Sequence, residues 1–326
     1  MASGVPDLEK FYLRYTRIWL RATTLCAALL LGNAATAQAA TPTPAPTRTL
    51  AAKPAAGAST PVPRPSTSVT PSPTGKSTWT VQDAIRFWTP QRMASATDPS
   101  GRVPRPRGWT APRMKRSVAA GVTGEHFDGM KSVGTLFNTG KGMQAHHCTA
   151  SVVHSAGHNL VLTAGHCLGS NAVFVPKYDH TKSAADQPYG IWPVKEWFRD
   201  SQYASDKSPN SDLDFAFAGL TENGGHHVED VVGANTLART PGFVNQLTVV
   251  GYPMVKYDSK DRAFRCRDVT TTPLPAYNQM QIDCGGMWGG VSGGPWFSKL
   301  DSSGDTGVIV GNVGGYNQGG PDVRAD

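Results

Sequence analysis

The chain has 326 residues, of which 17% are charged and 9% aromatic, and its formal net charge is +7. This composition excludes a coiled coil and a wholly disordered chain, and the length allows a sizeable hydrophobic core. Residues 1–116 hold 16 Lys and Arg against 4 Asp and Glu, whereas residues 117–326 hold 15 against 20. Because the basic excess lies outside the part with a folded composition, the charge does not favour a nucleic-acid partner.

The first 39 residues have the pattern of an export signal. Four basic residues between positions 10 and 21 precede an apolar stretch at residues 22–31, and small residues around Ala39 suit signal peptidase. The apolar stretch is shorter than the ~20 residues that a bilayer span needs, which argues against an anchor. A lipoprotein at Cys26 is disfavoured because Leu25, not a small residue, precedes it. We expect cleavage near Ala39, secretion, and no stable membrane insertion afterwards.

The next two segments differ in composition. Residues 40–78 are dominated by Thr, Pro, Ala and Ser, which predicts a disordered tether. Residues 79–116 begin with apolar side chains that could form one face of a short helix, and they end in a Pro/Arg-rich stretch with the dibasic pair Lys115-Arg116. We interpret residues 79–116 as a pro-segment that is removed at or near this pair. The alternative is a linker that is left uncut.

Residues 117–326 have the texture of an all-β domain. Short apolar runs rich in Val, Ile and Phe alternate with Gly, Asn, Asp and Pro, which is typical of strands separated by turns. The clearest runs cover residues 133–137, 150–153, 160–163, 173–175, 215–218, 247–250 and 307–310. The pattern alone predicts a β-sandwich or a β-barrel.

The motif GGVSGGPWF at residues 289–297 has the features of a nucleophile loop. Ser292 is flanked by glycines, which can adopt backbone angles that are closed to other residues. The N–H groups of Gly290 and Ser292 could then form an oxyanion hole, in which one donor is worth about 3 kcal/mol in the transition state. A glycine-rich turn with an incidental serine remains the alternative if this motif is considered by itself.

The motif LTAGHC at residues 162–167 supplies a base for that serine. A serine hydroxyl is a poor nucleophile unless a base accepts its proton, and His166 is the candidate. Cys148 and Cys167 bracket the run before it. A disulfide between them would close a loop that stabilises the fold by about 3 kcal/mol and holds the turn that carries the imidazole.

The motif DLDFAFA at residues 212–218 supplies an acid that can orient the histidine. Asp214 directly precedes an alternating apolar run, and its carboxylate could fix the tautomer of His166. Asp212 is the competing candidate, and we favour Asp214 because it adjoins the apolar run. The order His, Asp, Ser is one of three known orders for this triad.

With these motifs in this order, residues 117–320 resemble the trypsin/chymotrypsin-like serine peptidases. Within them, the sequence is similar to the exported bacterial branch that includes actinobacterial trypsin-like peptidases and glutamyl endopeptidases. The stretches that carry the resemblance are CTASVV, LTAGHC, DFAFA, VVGYP and GGVSGGPWF. The resemblance implies an all-β fold of two six-stranded antiparallel barrels, with the active site between them. It also implies a monomer that acts on peptides or proteins and needs no cofactor or metal.

The resemblance further implies a substrate-binding segment and a second disulfide. Residues that would pair with the substrate backbone are Gly311, Asn312, Val313 and Gly314. Cleavage near Ala39 leaves four cysteines, an even number that indicates two disulfides in an exported chain. Proximity in the sequence makes Cys266 and Cys284 the second pair.

The sequence departs from the family at three places. Animal trypsins have an acid just before the serine, which pairs with the new N-terminus on activation, and Val291 stands there instead. Trypsins have an Asp six residues before the serine, where this chain has Gly286, so cleavage after Lys or Arg is not supported. Relatives continue beyond the position of Asp326 with a strand and a helix, so we expect the second barrel to be incomplete.

Three other functions compete with peptide hydrolysis. A catalytically silent binding protein would follow if the second barrel were too incomplete to support the active site. An esterase could use the same triad, since triad geometry recurs across chemistries. A metal site at His154 and His158 is disfavoured, because the motif lacks the glutamate and the helix of metallopeptidases.

Overall fold

Strands dominate the part of the chain that the structure, a computed structural model, describes: residues 79–99, 122–205, 208–316 and 324–325. The strands, numbered along the chain, are β1 (Val122–Thr123), β2 (Glu125–His126), β3 (Val133–Thr139), β4 (Ala145–Val153), β5 (Leu160–Thr163), β6 (Ser170–Pro176), β7 (Trp192–Arg199), β8 (Ala216–Leu220), β9 (Thr236–Leu237), β10 (Gln246–Gly251), β11 (Phe264–Thr270), β12 (Thr272–Pro273), β13 (Met280–Gly285), β14 (Pro295–Leu300), β15 (Gly307–Asn312) and β16 (Arg324–Ala325). The α-helices are α1 (Val81–Phe87), α2 (Pro90–Ala94) and α3 (Val228–Val232). The predicted export signal, tether and dibasic pair lie outside the described residues.

Strands β3 to β8 form a closed antiparallel barrel in the order β3-β4-β5-β8-β7-β6. Leu136, Phe174 and Trp192 belong to its buried apolar cluster and are at most 2% exposed. Closure leaves no edge strand in this ring, so every strand has a neighbour on both sides. The barrel confirms the all-β class and fixes the strands that flank His166 and Asp214.

The second half of the domain consists of two sheets among the described residues. One sheet has the order β2-β11-β10-β14-β15-β9, and the other joins β13 to β1, β12 and β16. Val249, Ile282 and Trp296 lie in the apolar cluster of this half and are at most 1% exposed. Cys266 on β11 and Cys284 on β13 form a disulfide that links the two sheets. A closed ring of described strands is therefore present only in the first half.

Residues 79–99 form two short helices instead of the single one that their apolar pattern predicted. Thr80 caps α1 and Thr89 caps α2, and Pro90 occupies the first turn of α2, where a missing N–H costs nothing. A continuous helix would put that proline in its interior, which breaks the hydrogen-bond ladder. Trp88 and Met93 are buried in the hydrophobic core. Removal of the segment stays a prediction, but its described part packs within the domain.

No helix among the described residues is both long and apolar enough to cross a membrane.

Candidate active site

His166 lies in a short 3-10 turn, Gly165–Cys167, at the end of β5. Cys167 is bonded to Cys148 on β4, which is the first predicted disulfide. Asn138 on β3 donates from its side chain to the Cys167 carbonyl oxygen at 2.9 Å. The turn that carries the imidazole is thus tied to two strands of the closed barrel, and the His166 side chain is only 3% exposed.

Asp214 lies between a 3-10 turn, Pro209–Leu213, and β8, and it faces His166. The Nδ1 atom of His166 lies 2.8 Å from Asp214 Oδ2. The backbone N–H groups of His166 and Gly315 also donate to this carboxylate, each at 2.9 Å. Burial alone would raise the pKa of Asp214, but the charge of His166 and these hydrogen bonds hold that pKa below its ordinary value. The carboxylate is therefore ionised at neutral pH.

Asp212, the competing acid in the sequence, faces a different part of the molecule. Its carboxylate accepts hydrogen bonds from the side chain of Gln279 at 2.7 Å and from the backbone of Asn278 at 3.1 Å. These contacts connect the aspartate loop to the segment before β13. Of the two acids, only Asp214 contacts the imidazole of His166 in the described contacts.

Ser292 lies in a tight turn that packs against the histidine side of the cleft. The residue is buried, and its carbonyl oxygen accepts a hydrogen bond from the Thr149 N–H at 2.7 Å. Cys167 Sγ, next to His166 in the chain, lies 3.9 Å from the same oxygen. Gly293 has a φ of +84°, and a Cβ there would lie 2.3 Å from Thr163 Oγ1. The glycine thus permits the serine turn to approach the end of β5.

The backbone before Ser292 is fixed by two hydrogen bonds to its carbonyl oxygens. The N–H of Met254 donates to the Gly289 carbonyl at 2.9 Å. The hydroxyl of Thr149 donates to the Gly290 carbonyl at 3.0 Å. A trans peptide places its C=O and N–H on opposite sides, so the Gly290 N–H points away from Met254. Gly290 has a φ of +105°, which favours glycine at this position.

Thr149 is a buried residue of the site that the sequence patterns did not single out. Its hydroxyl accepts from the Tyr252 N–H at 2.9 Å and donates to Gly290. Its backbone holds the Ser292 carbonyl on one side and accepts from Thr163 Oγ1 on the other. A buried threonine on a strand carries no sequence signal that would separate this role from ordinary packing.

Two titratable side chains are buried close to the Gly290 turn. The His147 ring would lie 3.2 Å from a Cβ at Gly290, and His147 Nδ1 lies 3.9 Å from Asp261 Oδ1. Burial lowers the pKa of His147 to about 4. Burial, together with the charge of Asp258, raises the pKa of Asp261 to about 8. At neutral pH both groups are therefore mostly uncharged, and their contact is not an ion pair.

A cleft of about 350 Å³ opens beside Asp214 and is lined by three of the four predicted substrate-binding residues. Gly311, Asn312 and Gly314 contribute to its wall, and Trp296 lies on the apolar side. Val313, the fourth, is fully buried in the apolar cluster of the second half. The Asn312 side chain donates to the Asp214 carbonyl oxygen at 3.1 Å, which joins this edge to the aspartate.

The position six residues before Ser292 is closed to a side chain. Gly286 has a φ of +97°, and a Cβ there would lie 2.3 Å from the ring of Phe264. Val291, directly before the serine, is fully buried in the same apolar cluster as Phe264. Trypsins have an acid at each of these two positions: one binds basic substrates, and the other pairs with a new N-terminus. This chain has an acid at neither position.

The described residues offer one group of side chains close enough to share a metal ion: Cys148, His166 and Cys167. Both sulfur atoms of that group belong to the disulfide, so they are not available as ligands. His154 and His158 lie in the turn between β4 and β5, and their rings contact Glu229 and Asp230 of α3.

Comparisons with known sequences and structures show what the domain is similar to. The model of the trypsin family matches residues 127–324. The protease Anisep from Arthrobacter nicotinovorans is 29% identical with a TM-score of 0.52, and the match covers 62% of this chain and 91% of that protein. The thermostable serine protease AL20, from an extremophilic microorganism, is 28% identical with a TM-score of 0.51, covering 60% and 89%. No curated protein sequence matches the chain significantly.

The family match spans 198 of the 326 residues and includes all three motifs of the candidate site. Both structural neighbours are named as proteases, and both are covered over most of their length. The chain therefore belongs to the trypsin family, as a serine endopeptidase that acts on peptides or proteins.

Proposed function

We propose that the protein is a secreted endopeptidase in which Ser292 is the nucleophile, His166 the general base and Asp214 the acid that orients His166. The observation that carries this proposal is the contact between His166 Nδ1 and Asp214 Oδ2 at 2.8 Å. With Nδ1 committed to the carboxylate, the other ring nitrogen, Nε2, is left to accept a proton. The competing acid, Asp212, has its own partners elsewhere.

The reaction would proceed through an acyl-enzyme. Nε2 of His166 takes the hydroxyl proton of Ser292 as the oxygen attacks the peptide carbonyl carbon. The N–H groups of Gly290 and Ser292 stabilise the oxyanion, and the hydrogen bonds on the Gly289 and Gly290 carbonyls support that orientation. His166 then protonates the leaving amine. Water, deprotonated by the same nitrogen, releases the acid product and restores the serine.

The substrate would bind as an extended peptide along Gly311, Asn312 and Gly314. Gly311 and Asn312 end β15, and Gly314 follows that strand at the wall of the cleft beside Asp214. An added strand there would gain main-chain hydrogen bonds. The Phe264 ring beside Gly286 argues against a carboxylate that binds Lys or Arg. The proposed monomer needs only its own side chains and backbone amides for this chemistry.

Secretion is supported by the pattern of the first 39 residues and by the two disulfides. Both bridges are fully buried pairs in the described domain, and such bridges persist in oxidising surroundings. Cleavage near Ala39 and maturation at or near Lys115-Arg116 remain parts of this proposal.

A fluorophosphonate probe tests the proposal, because it labels a serine only when the base and the oxyanion hole are assembled. The protein would be secreted from its own cells and compared with Ser292→Ala and with Ser298→Ala, an exposed serine on β14. We expect labelling of wild type and Ser298→Ala, none of Ser292→Ala, and a fall in kcat of about a millionfold for Ser292→Ala. Folded wild-type protein that takes up no label would overturn the proposal in favour of a binding protein.

A further inference from the structure

Residues 79–99 are anchored in the folded domain by side chains that are buried in its hydrophobic core. Ala84 and Trp88 are fully buried and Met93 is 1% exposed. The Trp88 ring packs on Phe137 of β3 at 5.5 Å between centroids, and its indole N–H donates to the Asn171 carbonyl at 2.9 Å. This is the burial of a core element and not of a loosely held leader.

The end of this segment forms an isolated β-bridge with the start of β4. The N–H of Thr97 donates to the Ala145 carbonyl at 3.0 Å, and the His147 N–H donates to the Thr97 carbonyl at 2.9 Å. Thr97 and His146 thereby form a parallel bridge. His147 is followed directly by Cys148, which forms a disulfide with Cys167, the residue after His166. The segment therefore runs beside the strand that leads into the candidate active site.

The residue after Thr97 contacts the backbone that precedes the oxyanion hole. A Cβ built on Gly289 would lie 2.7 Å from Asp98 Oδ2 and 3.2 Å from Asp98 Cβ. The Asp98 side chain thus occupies the space where residue 289 would carry its own side chain. On the same residue, the Gly289 carbonyl is held by the N–H of Met254. Gly289 is therefore held by a hydrogen bond on its carbonyl, and the side chains of Asp98 and Met254, whose Cε would also lie 2.7 Å from an added Cβ, fill the space beside it.

We infer that residues 79–99 stay bound in the active enzyme and that Asp98 is a positioning residue for the Gly289-Gly290 turn. The inference rests on the proposed function of Gly290 as an oxyanion donor. A cut after residue 99 would leave a two-chain enzyme held by the buried Trp88 and by the Thr97 bridge. Loss of the Asp98 side chain would let the turn rotate away from the geometry that the transition state needs.

The first measurement asks whether the segment is retained. Active protein, labelled with the fluorophosphonate after secretion, is purified without denaturant, and its components are then separated and weighed by mass spectrometry. We expect residues 79–99 to be present, either in the intact chain or as a separate fragment. Labelled protein that lacks these residues would overturn the inference.

The second measurement follows labelling kinetics in full-length variants. Asp98→Ala should lower the maximal labelling rate by about tenfold, a part of the 10²- to 10³-fold that a lost oxyanion donor costs. The probe concentration at half-maximal rate and the Tm should stay close to the wild-type values. Asp98→Asn, which keeps the shape of the side chain, should retain the rate within about twofold. Gln91→Ala, an exposed change on α2, is the matched control.

A double-mutant cycle tests the contact itself. Gly289→Ala places a methyl group 2.7 Å from both Asp98 Oδ2 and Met254 Cε, and Asp98→Ala relieves only the first of these clashes. Gly289→Ala should therefore slow labelling more in the wild-type background than together with Asp98→Ala. Equal effects in both backgrounds, or an Asp98→Ala variant as fast as Gln91→Ala, would overturn the inference while the proposed function stands. Wild-type protein that fails to label would instead overturn the proposed function first.

Discussion

Asp214 receives three N–H donors in the described structure: His166 Nδ1, the His166 amide and the Gly315 amide. Two of these donors are backbone N–H groups, so the position of the carboxylate does not depend on the imidazole alone. The charge of His166 and these three hydrogen bonds together outweigh burial, so the pKa of Asp214 lies below its ordinary value and the group is ionised. An ionised, immobile carboxylate favours the His166 tautomer that carries its proton on Nδ1.

Replacing Asp214 with Asn should therefore lower kcat far more than it lowers stability. An amide keeps the shape of the carboxylate but can present a donor to His166 Nδ1, which favours the wrong tautomer. We expect kcat to fall by about 10⁴-fold. Asp212→Asn is the matched control, because Asp212 contacts Gln279 and Asn278 instead of the imidazole. The measurement is hydrolysis of a peptide substrate by the two variants, and equal activities would contradict the assignment of Asp214.

At the scale of residues, the sequence predicted those groups of the site that stand in local motifs. His166, Asp214 and Ser292 were predicted because cysteine, glycine and alternating apolar neighbours mark their turns, and their catalytic roles stay a proposal. Thr149 and the Gly315 amide were missed, since they act through contacts between segments far apart in the chain. The positioning role that we infer for Asp98 could not be predicted either, since nothing near Asp98 in the sequence points to Gly289.

At the scale of strands, β3 and β4 carry two buried threonines whose hydroxyls differ: one makes hydrogen bonds and the other only packs. Thr135 and Thr149 lie opposite each other in the ladder, and both are fully buried. The Thr149 hydroxyl bonds to Gly290 and Tyr252, whereas the Thr135 hydroxyl has no hydrogen-bond partner among the described residues. Removal of the Thr149 hydroxyl should therefore lower the stability of the domain, whereas removal of the Thr135 hydroxyl should not.

Thr149→Val should destabilise the domain by about 1–3 kcal/mol, because it leaves the Gly290 carbonyl and the Tyr252 N–H unpaired in the interior. It should also slow fluorophosphonate labelling by about tenfold through the Gly290 turn. Thr135→Val removes an unsatisfied hydroxyl and should leave stability unchanged or raise it. Urea denaturation and labelling rates of both variants check this, and a Thr149→Val variant that behaves like Thr135→Val would contradict it.

Strand positions were largely predictable, whereas strand partners were not. The apolar runs at residues 133–137 and 160–163 fall within β3 and β5, because a short apolar run between turn residues marks a strand even when both of its faces are buried. The closed order β3-β4-β5-β8-β7-β6 depends on pairing between segments far apart in the chain and was not predicted. Only the presence of six-stranded barrels was expected, and that expectation came from the family resemblance. The break between α1 and α2 was missed, although Pro90 signals it locally.

At the scale of the whole molecule, the buried pair His147 and Asp261 gives stability an unusual dependence on pH. Asp261 keeps its proton in the folded state up to pH about 8, whereas an unfolded Asp loses it near pH 4. This group therefore makes the fold less stable as pH rises between those values. His147 acts oppositely between pH about 4 and 6.5, since only the unfolded state takes up its proton there.

Above pH 6.5 the contribution of Asp261 is no longer offset by His147. The free energy of unfolding should fall by up to about 2 kcal/mol between pH 6.5 and 8, and this fall should be absent in Asp261→Asn. Urea denaturation of both proteins at pH 5, 6.5 and 8 measures the difference. Parallel profiles for the two proteins would show that Asp261 is ionised in the folded state.

The two buried disulfides have a consequence for the lifetime of the protein, given the secretion and the cleavage near Ala39 that we propose. All four of their cysteines are fully inaccessible to solvent, and Cys26 is the one other cysteine in the sequence. Once cleavage near Ala39 removes Cys26, the chain holds no thiolate that could attack a bridge. Disulfide exchange needs such a nucleophile, so neither scrambling within one molecule nor covalent linkage between copies can start from the enzyme itself.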